Sequence, residues 1–590
     1  MTKTRLIGTV AMVMGLLPLT SLAAEEAPSE GGFVYAEGSR LKLNGGDFYF
    51  SGVNSYSIVY SEAEAEKQFE TMSDMGVNVL RFWGFWNGED LNPQIEDGLV
   101  VRPGTPDTDI YGRYVLQSRP GVFPEPAWRR MDYAIYLAHV YDVKLIIPLM
   151  NQWPEFGGID EILRWVGVET DLPDPSEGHY NLENTIKEYR DLFWDSRNDD
   201  RYPNAEAYPN ASKEAQQIYM DYVTYMLNRV NTYTGVAYKD DPAIMVWEIF
   251  NEPRFGPWNG DQDGEKVLDF LERAAAHIKS IDKNHLVSTG EEGMLRSGSN
   301  SLERVTYPWY CGTGEGIDFL ETSQLEEIDI LSIHSWPFQW NLWETSQENV
   351  NEDKSSTKEY SDEDGNVLFE KFAREWIEEH VRMAEEIGKP IYLGEFGYQI
   401  LRAGDSTLER RDSIFKETYD TAKEVELAGA VVFNILASHN VDEAVYKVPE
   451  EEWTRAKTLM GLIDDEVIPH DLEYKFDVYC PEDETTCEII REFSAFQTAR
   501  IEQPDPPYVA PCLEPKTVCG DDCVFLATHP DHCGECGNVC EEDDTCVDGE
   551  CVSTTAAAVE DMDDVDYGCQ SVRETRTVSN VVSLIAALLF

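Results

Sequence analysis

The apolar positions of this chain fall into short runs separated by longer amphipathic stretches. Residues 47–53 read as a first strand. Residues 62–75 follow at helical spacing and stop at Gly76, which suits the left-handed turn that ends a helix. Residues 77–82 form a second strand, running into the aromatic stretch Trp83-Gly-Phe-Trp86. A helix over 126–141 precedes a third strand, 143–149, which ends in Asn151-Gln-Trp153. A helix over 215–234 leads to the fourth strand, 243–250. The alternation continues with helix 266–281, strands 286–290 and 328–333, helix 369–387, strand 391–395, helix 408–427 and strand 429–434. Eight strands alternating with helices predict an α/β fold, a (β/α)8 TIM barrel with insertions. An open doubly wound sheet would want a Gly-rich phosphate turn after an early strand, and the sequence has none. The longest insertion, 154–210, is rich in Trp, Tyr, Asp and Asn, and predicts an ordered loop beside a cleft.

Two of the strands end in a glutamate. Val246-Trp-Glu-Ile-Phe-Asn-Glu-Pro-Arg254 is mostly apolar until Asn251 and Glu252, and Pro253 forbids further pairing. Pro390-Ile-Tyr-Leu-Gly-Glu-Phe-Gly397 ends likewise in Glu395. Barrel enzymes keep their chemistry at the C-terminal ends of strands. Glycosidic cleavage needs a proton for the departing oxygen and a negative charge facing the anomeric carbon, which two such carboxyls supply if only one is ionised. Arg81, between Leu80 and Phe82, is expected to face the barrel mouth and hold Glu395 ionised rather than to form a surface ion pair. His334 and Trp336 bring hydrogen-bond donors to the same region, and Asn251 suits a sugar hydroxyl. Trp83, Trp86, Trp153, Trp165, Trp258, Trp309, Trp336 and Trp343 cluster near predicted strand ends, where indoles can stack on pyranose faces. Core packing is the competing role, expected for about half of them.

Charge narrows the partners. With 47 Lys+Arg against 111 Asp+Glu, the net charge of −64 argues against nucleic acid and anionic membrane, and suits a neutral substrate or a protein kept soluble in salty surroundings; the chain is expected to be a monomer. Residues 1–23 have the pattern of a secretory signal: basic Lys3 and Arg5, an apolar run, then Ser21-Leu22-Ala23. The expected organisation is signal 1–23, catalytic domain 24–500, linker 501–511, Cys-rich module 512–552, and acidic linker with apolar tail 553–590. Nine of the 12 Cys follow residue 500, and in an exported chain such clustering reads as disulfides. Cys533, Cys536 and Cys540 have a spacing that also occurs in metal sites, but export favours cross-links. No cofactor and no metal is called for. The last 13 residues are mostly apolar but fall short of the ~20 that span a bilayer.

The chain from about Gly45 to Asn434 resembles glycoside hydrolase family 5, and within it the endo-β-1,4-mannanases. The likeness lies in Ser51-Gly-Val-Asn-Ser-Tyr56, Leu80-Arg-Phe-Trp-Gly-Phe85, the Asn151-Gln-Trp153 turn with Phe156-Gly-Gly158, the Asn251-Glu-Pro-Arg254 turn, His285-Leu-Val-Ser-Thr-Gly-Glu-Glu-Gly293, Ile333-His-Ser-Trp336 and Gly394-Glu-Phe-Gly-Tyr398. The resemblance implies a retaining double displacement on β-mannan or a related plant polysaccharide, with Glu252 as acid/base and Glu395 as nucleophile about 5–5.5 Å apart. Arg81, Asn251 and His334 would support them. Arg254 would meet sugar on the leaving-group side, and Trp83, Asn151, Trp153 and Trp336 would line the cleft. Two positions depart from the family pattern. Trp336 stands where mannanases usually carry Tyr, and Phe433-Asn434 where they carry Trp. A cellulase-like endo-β-glucanase and a non-catalytic glycan-binding surface protein are the alternative readings. The Cys-rich segment resembles modules of exported bacterial proteins. Gly568-Cys569 before the apolar tail looks like a surface-sorting signal, although Arg573 and Arg576 precede the apolar run instead of closing it.

Overall fold

In a computed structural model, residues 32–55, 57–59, 62–88, 94–96, 99–101, 115–153, 155–168, 192–194, 208–255, 264–295, 316–337, 369–398, 408–436, 478–480 and 483–501 are described, with 517–519, 522–524, 533–540, 544–547 and 550–553 of the Cys-rich segment. The expected signal, the tail, and Trp258, Trp309 and Trp343 lie outside the described residues.

Eight parallel strands make the barrel: β1 Phe50–Asn54, β2 Val79–Arg81, β3 Lys144–Pro148, β4 Ile244–Glu248, β5 Leu286–Ser288, β6 Leu331–Ser335, β7 Ile391–Phe396 and β8 Gly429–Val432. They pair in the order β5-β4-β3-β2-β1-β8-β7-β6. At the β5/β6 seam the Asp329 N–H donates to the Val287 carbonyl (2.9 Å), and the Asp329 carboxylate accepts from the Val287 N–H (2.8 Å). The helices that follow the strands are α1 Glu62–Asp74, α2 Glu125–Val140, α3 Ala211–Asn228, α4 Gly264–Ile281, α5 Phe319–Thr322, α6 Phe369–Ile387, α7 Leu408–Glu424 and α8 Glu484–Arg500. The (β/α)8 expectation holds.

Strand alternation sorts the side chains. Leu80, Leu145, Ile147 and Trp247 join the core under the helices. Val79, Ile146 and Val246 join Phe50, Tyr392 and Val431 in a second cluster inside the barrel. Val34 and Leu41 belong to that second cluster. They come from the antiparallel strands Val34–Glu37 and Arg40–Leu43, so this hairpin packs on the apolar floor of the barrel. Two residues further along β2 and β4, the same face carries Arg81 and Glu248, both fully buried.

Three local expectations change. The helix expected over 215–234 is α3, ending at Asn228: Arg229 is extended and forks onto the buried Asp132 (2.8 and 2.7 Å), which pulls the chain out of the helix. The 154–210 insertion contains a helix, Gly158–Trp165, and packs Phe193 and Trp194 into the core. The eighth helix was not expected at all. It is α8, beyond an undescribed stretch 437–477; Ser494 Oγ donates to Ser51 Oγ (2.9 Å) and Gln497 Nε2 to the Phe50 carbonyl (3.2 Å) on β1. Disulfide Cys480–Cys487 ties its first turn to the turn that follows the short strand Val478–Tyr479. In the C-terminal segment, Cys519–Cys536 and Cys540–Cys551 are bonded, as the clustering of Cys predicts.

Candidate active site

Glu252 and Glu395 reach the barrel mouth by different backbone devices. After β4, the Asn251 N–H donates to the Met150 carbonyl (2.7 Å) and the Glu252 N–H to the Gly290 carbonyl (2.9 Å), so the chain stays pinned to both neighbours beyond the strand. Glu252 itself adopts φ 55°, a left-handed conformation that is strained for a side-chain-bearing residue and is held by these bonds and by Pro253. On β7 the register with β6 shifts: Ile333 opposes Leu393, but His334 opposes Glu395, leaving Gly394 as the extra residue. A Cβ at Gly394 would come within 3.0 Å of the His334 ring and within 2.9 Å of Ser332 Oγ, so the bulge needs glycine. It delivers Glu395 directly across from His334.

The two carboxyls are brought together. One oxygen of each and a ring nitrogen of His334 lie within 4.8 Å of one another. Glu252 keeps 10% and Glu395 6% of its side chain accessible, so neither is sealed inside the protein. Glu252 accepts from Trp153 Nε1 (2.5 Å) and meets His334 Nδ1 at 2.7 Å. Glu395 accepts from Arg81 Nη1 (2.5 Å) and from Trp336 Nε1 (3.1 Å). Trp336, expected to line the cleft, therefore also donates to a carboxyl, as the phenol it replaces in the family pattern would. A Cβ at Gly397 would meet the Trp336 six-membered ring at 2.9 Å, and Phe433 packs edge-on to that ring at 5.4 Å. Glycine at 397 and Phe433 thus seat the indole that reaches Glu395.

Burial raises the proton affinity of both carboxyls. For Glu252, Arg254 and Trp153 oppose that rise. For Glu395, His334 and Arg81 oppose it, while the neighbouring Glu252 adds to it. Burial also lowers the pKa of His334, favouring a neutral imidazole. Two buried acids this close cannot both ionise cheaply, so they titrate as a pair that keeps one proton over a range of pH.

The other expected residues are placed as follows. Arg81 is fully buried and is no surface ion pair. Asn251 accepts from Arg81 Nη2 (2.7 Å) and donates to Asn151 Oδ1 (3.0 Å), so these two amides brace one another beneath Glu252. Arg254 lies over the Trp153 ring (5.2 Å) and forks onto Glu292 (2.5 Å on each arm). Trp83 is nearly buried with the Arg81 guanidinium 5.1 Å from its ring, and its indole N–H meets no acceptor among the described residues. Trp86 packs in the core and Trp165 against it. Three residues of the site were given no role in the sequence reading: Glu248, which holds Arg81; Tyr392, whose hydroxyl donates to Glu248; and Glu292, which pairs with Arg254. A charged residue inside an apolar strand was the available signal for Glu248.

A (β/α)8 barrel with opposed, unequally supported carboxyls at the ends of β4 and β7 is the architecture of a barrel glycoside hydrolase. The model for the group described as GH family 5 beta-mannosidase-like matches residues 29–498, and the chain belongs to glycoside hydrolase family 5. Mannan endo-1,4-beta-mannosidase 3 of Arabidopsis thaliana is 30% identical over 72% of this chain and 86% of its own length. Mannan endo-1,4-beta-mannosidase 1 of Solanum lycopersicum is 28% identical over 72% and 88%. Among solved structures, the endo-beta-1,4-mannanase from Thermotoga petrophila is 25% identical, with TM-score 0.52 over 76% of this chain and 77% of that one.

Proposed function

We propose that this glycoside hydrolase is an exported, monomeric, retaining endo-β-1,4-mannanase. The observation that carries the mechanism is the spacing of the carboxyls. One oxygen of each carboxyl within 4.8 Å of the other supports the close spacing of about 5–5.5 Å that retention uses over the wider separation of about 6.5–9.5 Å that inversion needs for its water. In the first displacement Glu252 gives its proton to the glycosidic oxygen as the bond to the anomeric carbon breaks. A Glu395 oxygen attacks that carbon and forms a glycosyl ester. Glu252, now ionised, then takes a proton from a water that attacks the same carbon, and Glu395 leaves as carboxylate. Arg81 and Trp336 favour the anionic form of Glu395. Asn251 faces the sugar hydroxyl beside the reacting carbon. Trp153, stacked under Arg254, offers a surface to the departing sugar. Trp83 and Asn151 complete the cleft.

The names of the relatives favour mannan over other β-glycans. The signal-like residues 1–23 and the disulfides favour export, a catalytic domain ending near residue 500 and a separate module over 512–552, with the Gly568-Cys569 tail as a route to cell-surface attachment. Wild type, Glu252→Gln and Glu395→Gln are to be assayed on galactomannan, glucomannan, linear mannan, cellulose and β-glucan, with products read by mass and the newly formed anomer by NMR. Internal cleavage of mannans by wild type alone, with the β-anomer appearing first, is the expected result. Preferred cleavage of cellulose or β-glucan overturns the substrate. The α-anomer appearing first overturns retention, and reducing sugar from no substrate overturns the enzyme reading.

A further inference from the structure

Arg81 has five N–H groups, and every one is directed at an oxygen. Nη1 donates to Asn54 Oδ1 (3.0 Å) and Glu395 Oε1 (2.5 Å). Nη2 donates to Asn251 Oδ1 (2.7 Å) and Glu248 Oε2 (2.7 Å). Nε lies 3.1 and 3.0 Å from the two oxygens of Glu248. Glu248 therefore takes the Nε–Nη2 edge of the fork and fixes the plane and rotation of the guanidinium. The hydroxyl of Tyr392 donates to its other oxygen. The Glu248 side chain has no accessible surface and points into the barrel, below both reacting carboxyls. It touches no substrate.

We propose that Glu248 is a positioning residue for the hydrolysis: it aims Arg81 at Glu395 and Asn251, and its charge offsets that of Arg81 so that the carboxyl pair keeps its one proton. The need for the second role follows from counting charges. An uncompensated, fully buried guanidinium 2.5 Å from Glu395 would favour two anions at positions 252 and 395 and remove the acid. With Glu248 ionised, the Arg81–Glu248 unit is neutral overall and Glu395 receives direction more than charge. The ionisable groups facing this unit are Tyr392 and Glu395 from β7, His334 from β6, and Glu252 beyond β4.

The test compares Glu248→Gln, Glu248→Asp and Tyr392→Phe with wild type. Glutamine removes the charge and turns an N–H toward the Arg81 donors. The expected result is a fall in kcat of about 10- to 100-fold, the worth of a charge-assisted hydrogen bond. Both limbs of the kcat/KM profile should move to lower pH by about one unit, because removing a neighbouring negative charge makes both carboxyls easier to ionise. Aspartate keeps the charge and shortens the reach, so its limbs should return while kcat stays low. Tyr392→Phe removes one donor to Glu248 and leaves the fork intact, so it should lower kcat by less than glutamine does. A purely structural role would lower activity in all three variants without moving the limbs, and that result overturns the proposal. If Glu248→Gln does not fold, Glu248→Asp and Tyr392→Phe carry the test: limbs that move by a full unit in Glu248→Asp, which keeps the charge, overturn it, and so does an unchanged kcat in that variant. The inference rests on the glycosidase reading, so the carboxyls are also titrated by 13C NMR in the full chain. Midpoints that fall in Glu248→Gln support the charge role even if mannan proves not to be the substrate; midpoints that stay put overturn it even if mannan is hydrolysed.

Discussion

Glu291 should make the barrel less stable as pH rises, and the size of the effect can be worked out. It is 2% exposed, and its Oε1 accepts from Thr289 (2.9 Å) and Thr322 (2.6 Å). No cation faces it. Burial, with Asp318 and Glu292 nearby, pushes its pKa from the ordinary 4.5 to about 8, although the two threonines oppose the rise. A folded-state pKa above the unfolded one means that the folded protein holds the proton longer. The stabilisation is fully present below pH 4.5 and is lost as pH rises toward 8. At about 1.36 kcal/mol per pH unit, the loss reaches about 3 kcal/mol at pH 7 and about 5 kcal/mol above pH 9. Glu291→Gln keeps an acceptor for both threonines and cannot ionise. Urea unfolding followed by tryptophan fluorescence at pH 4, 5.5, 7 and 8.5 should find the two proteins equal at pH 4, with the variant gaining steadily above pH 5. Glu292, raised to about 7, contributes to both proteins and largely cancels in the difference. Parallel curves for wild type and variant would show that Glu291 ionises as easily folded as unfolded, and the reasoning from burial would fail.

Two further perturbations probe the site and its support. Trp336→Phe removes the N–H that Glu395 accepts at 3.1 Å, so kcat should fall about 10- to 100-fold. The nucleophile becomes harder to ionise, so the acid limb of the pH profile should move up; Trp336→Tyr should restore much of both, and an unmoved limb in the phenylalanine variant would refute the contact. Replacing Cys480 and Cys487 with Ser opens a loop of sequence separation 7, worth about 2–2.5 kcal/mol of unfolded-chain entropy. Calorimetry should show a lower Tm, and an unchanged Tm would mean that the first turn of α8 is held by its other contacts.

Much of this was legible in the sequence because the barrel repeats one physical unit. Each strand is apolar on both faces, each helix has one apolar stripe, and the two periods alternate. Glu252 and Glu395 stood out because each ends such a strand with a charge. The helix α8 did not, because its buried face is Thr486, Cys487, Ile490, Phe493, Ser494 and Gln497: the helical spacing is there, but half the positions are polar, Ser494 and Gln497 bonding to β1 and Thr486 to Arg411 and Asp412 of α7. Pattern reading counts apolar positions and passes over a face of this kind.

Glu248 was hidden for the opposite reason. It sits in Ile244–Glu248, which reads as core. Glutamate is almost never fully buried unless paired, so its presence there already demands a cation. Strand parity says which one. Arg81 follows Val79 by two and Glu248 follows Val246 by two; Val79 and Val246 share the inner cluster, so both charges point inward one layer higher. That placement needs no side-chain coordinates. It needs only the inference that β2 and β4 flank β3 in one barrel, and that inference rests on the same alternation that places Glu252 and Glu395. The interior ion pair and the catalytic pair are therefore two readings of a single register. A strand slipped by one residue would turn Arg81 and Glu248 into the helix layer and leave Glu395 without its cation.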